Sequence, residues 1–193
     1  MSRLPNSRVF SLLACAVMAL AGGCVAAAAG AAEEPESYRQ ENYRSPVPAT
    51  LSGARVIATE EAEHLWRERA AIFVDVLPRP VKPATLPKGT IWRDKPRFDI
   101  PGSIWLPNVG YGALSPPMDD YFRKGLSDAV QGDLTRPLVF YCLADCWMSW
   151  NAAKRALSYG YTQVIWYPDG TDGWESNTII ELEERLPVPL PAP

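Results

Sequence analysis

Two cysteines four residues apart are the residues of this sequence best placed to do chemistry. Cys142 and Cys146 lie between an apolar run that ends at Tyr141 and an alanine-rich segment that follows Trp147. A cysteine in a loop that opens a helix faces the unpaired N–H groups and the positive dipole end of that helix, which stabilise the thiolate. The spacing therefore predicts that Cys142 attacks a disulfide or a sulfane sulfur and that Cys146 then displaces the product.

The other residues of this segment complete the predicted active-site loop. Asp145 lies between the two cysteines, where its carboxylate would either disfavour the Cys142 thiolate or relay protons to Cys146, and the sequence leaves both roles open. Trp147 is a candidate shield for the sulfur atoms or a docking surface for a partner. The remaining loop residues are Leu143, Ala144, Met148 and Ser149.

Three kinds of function are compatible with the cysteine pair. A structural disulfide in a non-catalytic partner-binding module is common in exported proteins, but so small a ring restricts the unfolded chain little, which favours redox use. A Cu(I) or cofactor carrier is the third, because Met148 adds a soft sulfur ligand to the two thiols. The only histidine, His64, is predicted to lie on the exposed side of a helix. The redox function needs no metal site and no resident cofactor, so neither is predicted, and Cu(I) or cofactor carriage stays the alternative.

Residues 1–32 are predicted to be a secretory signal peptide. Arg3 and Arg8 precede an apolar run and then a stretch of small, uncharged residues. The segment is too short and too rich in glycine and alanine to span a membrane. We therefore expect a periplasmic protein, with cleavage after Ala31 or Ala32.

The same segment also resembles a bacterial lipobox, which would make the protein a lipoprotein anchored to the membrane at Cys24. Ala21 stands where leucine is more usual in that motif, so simple cleavage is the first expectation. Cleavage after Ala31 or Ala32 would remove Cys15 and Cys24 and leave Cys142 and Cys146 as the only thiols. Loss of two arginines changes the formal net charge from −3 to −5, and such an acidic chain is not expected to bind nucleic acid.

The rest of the chain is long enough for one domain with a full core. Residues 33–52 are polar and contain three prolines without helical or strand periodicity, so they are predicted to form an extended strap or linker. The domain is predicted to cover residues 53–186, and a proline-rich tail to cover residues 187–193. Five prolines within residues 77–98 indicate either an excursion over the carboxyl edge of the sheet, where α/β proteins bind ligands, or an exposed loop without function.

Short apolar runs alternate with helical patterns between these ends. The runs are apolar throughout, which indicates strands that are buried on both faces. The sequence therefore predicts an α/β fold, with a central, mostly parallel five-stranded sheet and helices on both faces. The predicted strands are 55–57, 71–76, 103–106, 138–141 and 163–167. The predicted helices are 60–70 with Thr59 as N-cap, 119–130, the segment after the cysteine loop and 177–185, while 169–174 are predicted to form a turn.

This pattern resembles a rhodanese-like domain over roughly residues 51–186. Four pieces carry the resemblance: a helix that opens at Thr59, the strand end Phe-Val-Asp-Val at 73–76, the turn at 100–107, and a strand followed by Cys142, a loop and a helix. The resemblance implies the rhodanese-like α/β fold and a reactive cysteine at the head of a helix.

The cysteine segment and the strap more narrowly resemble the PQQ-dependent catabolism-associated CXXCW motif proteins. The similar parts are the Cys-x3-Cys-Trp core with residues 149–153 and the entry Tyr-Arg-Ser-Pro-Val-Pro at 43–48. Those proteins are exported and are associated with periplasmic PQQ-dependent alcohol oxidation. The resemblance implies a periplasmic partner, which would be a sulfur donor, a thiol or disulfide protein, or a PQQ-dependent dehydrogenase or cytochrome system. It implies no PQQ site in this chain.

Sulfurtransferase chemistry is the other activity that the resemblance implies. In rhodaneses the cysteine that matches Cys142 carries a persulfide, which backbone N–H groups of the loop cradle. A typical loop there carries glycine and then arginine, whereas this sequence has Asp145 and Trp147 at the matching positions. Thiosulfate would meet a carboxylate and no guanidinium, so thiosulfate:cyanide transfer is disfavoured, and thiol–disulfide exchange is at least as well supported.

Overall fold

The computed structural model describes residues 32–80, 82–83 and 85–191. The predicted signal peptide, except Ala32, and the lipobox at Cys24 lie outside the described residues. None of the helices in the described part of the chain has the length and hydropathy needed to cross a membrane.

Strands and helices alternate along the described residues. The strands are β1 Arg55–Val56, β2 Ile72–Asp75, β3 Arg97–Asp99, β4 Ile104–Trp105, β5 Leu138–Tyr141, β6 Val164–Trp166 and β7 Glu183–Arg185. The helices are α1 Thr59–Arg67, α2 Pro116–Val130, α3 Trp147–Ser158 and α4 Gly170–Asn177.

Five of the strands form one parallel sheet in the order β1-β6-β5-β2-β4. The central strand β5 pairs on both sides, with β2 and with β6, and all four of its residues are buried. This burial explains why the strand sequence is apolar throughout and does not alternate. The predicted fold class is confirmed, since an α/β arrangement with a five-stranded parallel sheet is consistent with the rhodanese-like fold.

Helices cover both faces of the sheet. Alternate residues of β5 point to opposite sides, so Leu138 and Phe140 join one core cluster while Val139 and Tyr141 join the other. The first cluster contains the apolar faces of α2 and α3, and the second contains those of α1 and α4. The carboxyl ends of β2 and β5 meet at one edge, where Asp75 lies beside Tyr141 in register and the cysteine loop begins.

The predicted strands of the parallel sheet are confirmed, but the predicted bounds of the fourth helix, 177–185, are wrong. Residues 169–174 were predicted to form a turn, yet α4 begins at Gly170 and buries Trp174 against the sheet. Residues 183–185 were predicted to be helical, yet they form β7, which pairs antiparallel with β3 in a separate two-stranded sheet. These two short strands depend on contacts with each other, because Arg185 binds the buried Asp99.

The first helix begins and ends at other residues than predicted, and the second ends at Val130 as predicted but begins three residues earlier. Thr59 is the first residue of α1 and not its N-cap, because its hydroxyl contacts the Tyr167 hydroxyl at 2.8 Å. The same helix ends at Arg67, before a left-handed residue, Arg69, whose φ is +51°. Helix α2 begins at Pro116, where proline lacks only an N–H that the first turn does not need.

Candidate functional site

The cysteine pair lies at the carboxyl edge of the sheet, at the head of α3. Cys142 directly follows β5, and Cys146 is the N-cap residue of α3 with an extended backbone. The two sulfur atoms lie at disulfide-bonding distance, and the Cα atoms are 6.2 Å apart, within the range that a disulfide accepts. Cys142 has 0% and Cys146 has 3% of its surface exposed. The pair is therefore closed and shielded from solvent.

Helix α4 braces the cysteine loop from one side. The Thr171 N–H donates to the Cys142 carbonyl at 3.1 Å, and the Ala144 N–H donates to the Asp172 carboxylate at 3.1 Å. Gly170 makes this approach possible, since a Cβ atom there would lie 2.5 Å from the Cys142 carbonyl oxygen. Its φ of +54° is also one that glycine adopts without strain. The first turn of α4 thus sets the position of the backbone at Cys142.

The strap covers the loop from the other side. Arg44 and Cys146 form an antiparallel bridge, and the Ser45 N–H donates to the Asp145 carbonyl at 3.2 Å. The Trp147 N–H, at the start of α3, donates to the Tyr43 carbonyl at 2.9 Å. The strap therefore occupies a backbone donor that the sequence predicted to face the sulfur atoms.

Trp147 packs into the strap. It is buried, and its indole N–H donates to the Ser45 hydroxyl at 3.0 Å and to the Pro46 carbonyl at 3.1 Å. The Arg39 guanidinium lies 5.1 Å from the centre of the Trp147 ring, in a cation–π contact. Because the strap covers this ring, Trp147 is part of the wall over the site in this conformation and does not present its ring to an outside partner.

The remaining predicted site residues differ in their exposure to solvent: those inside the loop are exposed or half-buried, and those in α3 are buried. Asp145 is exposed and has a left-handed backbone with φ +50°, while Leu143 and Ala144 are half-buried. Met148 and Ser149 are buried in the first turn of α3. The Ser149 hydroxyl donates to the Cys146 carbonyl at 3.0 Å and accepts the Trp166 indole N–H at 3.0 Å, which ties this turn to the sheet.

Sequence reasoning missed two residues of α3 that hold the strap and the adjoining loop. The Asn151 side chain accepts the Arg39 N–H at 2.9 Å and donates to the carbonyls of Arg39 at 2.9 Å and Gly110 at 2.8 Å. The Arg155 guanidinium donates to carbonyls of residues 109, 111 and 112 and lies over the Tyr38 ring at 4.3 Å. The only sequence signal was a pair of polar side chains, Asn151 and Arg155, spaced one turn apart in an alanine-rich helix.

A cluster of buried charges lies beside the site, at the end of β2. The Asp75 carboxylate binds the Arg97 guanidinium, and it also accepts the Leu77 N–H at 2.9 Å. Asp99 is 3.3 Å from the Arg185 guanidinium. Burial raises the pKa of Asp75, and burial together with the negative charge of Asp75 raises the pKa of Asp99 to about 7.

Tyr141 connects this cluster to the cysteine strand. Its hydroxyl donates to the Ser103 hydroxyl at 2.7 Å and accepts the Ile100 N–H at 3.1 Å. Burial raises its pKa well above the usual range, so the phenol remains protonated and donates. Tyr141 is the residue before Cys142, but its hydroxyl bonds to residues 100 and 103 and its ring packs into the core below the loop.

The described residues show no group of three or more histidine, cysteine, aspartate or glutamate side chains that could hold a metal ion. His64 is exposed on α1, as predicted. The chemistry of the cysteine loop is therefore limited to a disulfide pair and the exposed Asp145 carboxylate, and the strap covers the pair.

Comparison with known proteins adds little to this geometry. No family model matches the chain, and no curated protein matches it. Among solved structures, the chain is similar to an uncharacterized protein from Saccharomyces cerevisiae, with 22% identity over 65% of this chain and 93% of that chain and a TM-score of 0.38. A likeness of this size carries no statement about function, so family membership stays a prediction from the sequence motifs.

Proposed function

We propose that this chain is an exported rhodanese-like protein whose Cys142–Cys146 pair exchanges electrons with the thiols or disulfide of a partner protein. The observation that supports this most is the pair itself, with sulfur atoms at bonding distance across one short loop at the head of α3. So small a ring removes little entropy from the unfolded chain, so stability alone is a weak reason for the bond. Reversible opening and closing of the bond is therefore the better explanation for the pair.

The proposed exchange balances through a mixed disulfide. In the reduced protein the Cys142 thiolate attacks a disulfide of the partner, a Cys142–partner bond forms, and one partner sulfur leaves as a thiolate. The Cys146 thiolate then attacks the Cys142 sulfur, closes the Cys142–Cys146 bond and releases the second partner thiol. Two electrons pass to the partner, and the reverse sequence returns them.

The surroundings of Cys142 support exchange between thiols better than sulfur transfer. A persulfide anion needs backbone N–H donors or a cation, but the Trp147 N–H is taken by the Tyr43 carbonyl and the charged residue inside the loop is Asp145. Disulfide exchange forms no persulfide, and its thiolates are already supplied by an ordinary thiol near its own pKa, so it depends less on such donors. It does require that the strap moves away, because both sulfur atoms are covered.

The setting of this chemistry rests on the resemblance alone. The similarity to the PQQ-dependent catabolism-associated CXXCW motif proteins supports a periplasmic partner, such as a PQQ-dependent dehydrogenase, a cytochrome system or another thiol protein. A periplasmic location agrees with disulfide chemistry, because disulfides persist in that compartment.

A second function is favoured by one observation. Both cysteines are buried under the strap, which is the usual state of a structural disulfide. In that case the domain binds a partner without chemistry and the bond holds the loop in shape.

The redox proposal is tested by alkylation of the protein isolated from the periplasm, followed by mass spectrometry of the tryptic peptide 125–154, which contains both cysteines. We expect a peptide two hydrogens light that takes up two alkyl groups after mild reduction in a glutathione buffer. An added sulfur atom that reductant removes would indicate sulfur transfer. A bond that resists such a buffer would indicate the structural role.

Two cysteine variants separate the roles of the thiols. With a small disulfide protein as oxidant, Cys142→Ser should abolish turnover, whereas Cys146→Ser should accumulate the mixed disulfide because the resolving thiol is missing. The control is Ser149→Ala, which removes the hydrogen bond to the Cys146 carbonyl but leaves both thiols in place. It reports how much activity is lost when the turn alone is damaged. Equal activity of both cysteine variants would contradict the proposed cycle.

A further inference from the structure

A groove between β3 and the segment after α4 exposes apolar side chains. It has a volume of about 370 Å³ and is lined by Phe98, Glu175 and residues 178–182, a surface that we call the acidic groove. Ile179 is 94% exposed and Phe98 is 47% exposed. Single exposed apolar residues are ordinary, but two large ones that line the same concave surface indicate a binding face.

The floor of the acidic groove is built from fixed backbone. The Trp174 indole N–H donates to the Ile180 carbonyl at 3.1 Å, and the Ile180 N–H donates to the Thr178 hydroxyl at 3.2 Å. Ile180 and Leu182 pack against the core cluster below, so the exposure of Ile179 is set by its neighbours and not by a loose loop. A ligand would meet a surface that is already formed.

The rim of the groove is negative. Residues 169–186 contain six carboxylates and one basic residue, Arg185, which is bound to Asp99 and Glu183. Glu175 and Glu181 line the groove and are exposed, and the exposed Glu184 is the cross-strand partner of Phe98. Among the described residues that line the groove there is no lysine or arginine.

We infer that the acidic groove is a docking site for a basic segment of a partner protein, in which lysine or arginine side chains alternate with large apolar ones. The apolar side chains would lie against Ile179 and Phe98, and the cations would meet the glutamates of the rim. A second copy of this chain is a poor occupant, because the formal net charge is −3 and the same carboxylates would face each other. An anionic membrane surface is disfavoured for the same reason. This inference does not depend on the chemistry of Cys142.

The test uses the full chain labelled with ¹⁵N and three short synthetic peptides as probes. One alternates lysine with isoleucine, phenylalanine and valine, one has glutamate in place of lysine, and one has serine in place of the apolar residues. We expect only the first to bind, with amide shift changes centred on Phe98 and residues 178–182 and with affinity that falls as salt rises.

Variants locate the site. Phe98→Ser and Ile179→Ser should each weaken the first peptide about tenfold, because each loses most of the burial of a large side chain. Glu175→Gln with Glu181→Gln should weaken it a few-fold and reduce its salt dependence. The matched control is Leu134→Ser, which removes an apolar side chain that is 43% exposed outside the groove and should leave binding unchanged.

Each other outcome overturns the inference. Absence of binding by the lysine peptide, equal binding of the glutamate peptide, or binding that the groove variants do not change would exclude a basic-segment site. Sedimentation that shows a concentration-dependent dimer lost in Ile179→Ser would assign the groove to a second copy. All these variants retain both cysteines. Failure of the docking inference would therefore not change the conclusion drawn from alkylation of Cys142 and Cys146.

Discussion

Replacing Gly170 by alanine should destabilise the protein and displace the cysteine loop. Gly170 has a φ of +54°, and an added Cβ would lie 2.5 Å from the oxygen and 2.8 Å from the carbon of the Cys142 carbonyl. These neighbours are backbone atoms that cannot rotate away, so either α4 or the loop must shift. The change therefore combines backbone strain with a steric clash.

The two contributions can be separated with a matched variant. Gly132 also has a positive φ, +80°, but an added Cβ there meets no atom within 4 Å. Gly132→Ala should lower the free energy of unfolding by about 1–2 kcal/mol, the usual cost of a left-handed residue that is not glycine. Gly170→Ala should add about 1–3 kcal/mol for overpacking, for a total loss of about 2–5 kcal/mol.

Urea denaturation followed by tryptophan fluorescence would measure both free energies, and alkylation after reduction would report access to Cys142. We expect the Gly170 variant to lose more stability than the Gly132 variant and to react faster at Cys142, since the carbonyl that Thr171 holds is pushed away. Equal losses in the two variants, with unchanged alkylation, would refute the view that α4 positions the loop.

Two further predictions concern charge and the strap. Asp99→Asn should become more stabilising relative to the wild type as pH rises from about 4 to about 7. Burial raises the pKa of Asp99 from 3.8 to about 7, so over this range the folded wild type retains a proton that the unfolded chain has lost. The wild type therefore loses free energy of unfolding as pH rises toward the folded-state pKa, whereas the asparagine variant does not titrate and keeps it. Thermal melts of the wild type and the variant across that pH range would measure this, with Asp128→Asn as the control, since Asp128 is an exposed carboxylate paired with Lys124. A stability difference between Asp99→Asn and the wild type that does not vary with pH would contradict the raised pKa. Trp147→Phe should increase the rate of alkylation of the reduced pair several-fold, because it removes the indole bonds to Ser45 and Pro46 that hold the strap; an unchanged rate would mean that the strap opens without breaking them.

Local sequence was enough to predict the parallel sheet. Strands such as β5 are buried on both faces and pair on both sides, so their residues must be apolar at every position, and this pattern needs no knowledge of distant contacts. The short antiparallel pair β3 and β7 could not be predicted in this way. Each has only three residues, five of the six are charged, and it is the burial of Asp99 against Arg185, 86 residues apart, that makes them strands.

The start of α4 shows the same limit. Residues 169–174 contain two glycines and two aspartates, which is a turn signature. The segment is helical because Trp174 inserts into the core cluster below α1 and because the Thr171 N–H finds a partner in the Cys142 carbonyl. A tertiary contact here overrides local propensity.

At the candidate site the sequence determined the spacing of the two sulfur atoms, and the tertiary structure decided the access to them. The four-residue spacing and the strand before it place two sulfur atoms at bonding distance at the head of α3, because loop length and helix geometry fix that separation locally. Whether those atoms meet solvent depends on Tyr43 and Ser45, which lie about a hundred positions earlier. They reach the loop through backbone hydrogen bonds to Trp147 and Asp145 and through the bond from the Trp147 indole to the Ser45 hydroxyl. No local pattern encodes such contacts, since they form only when the whole sheet has brought the strap and α3 together.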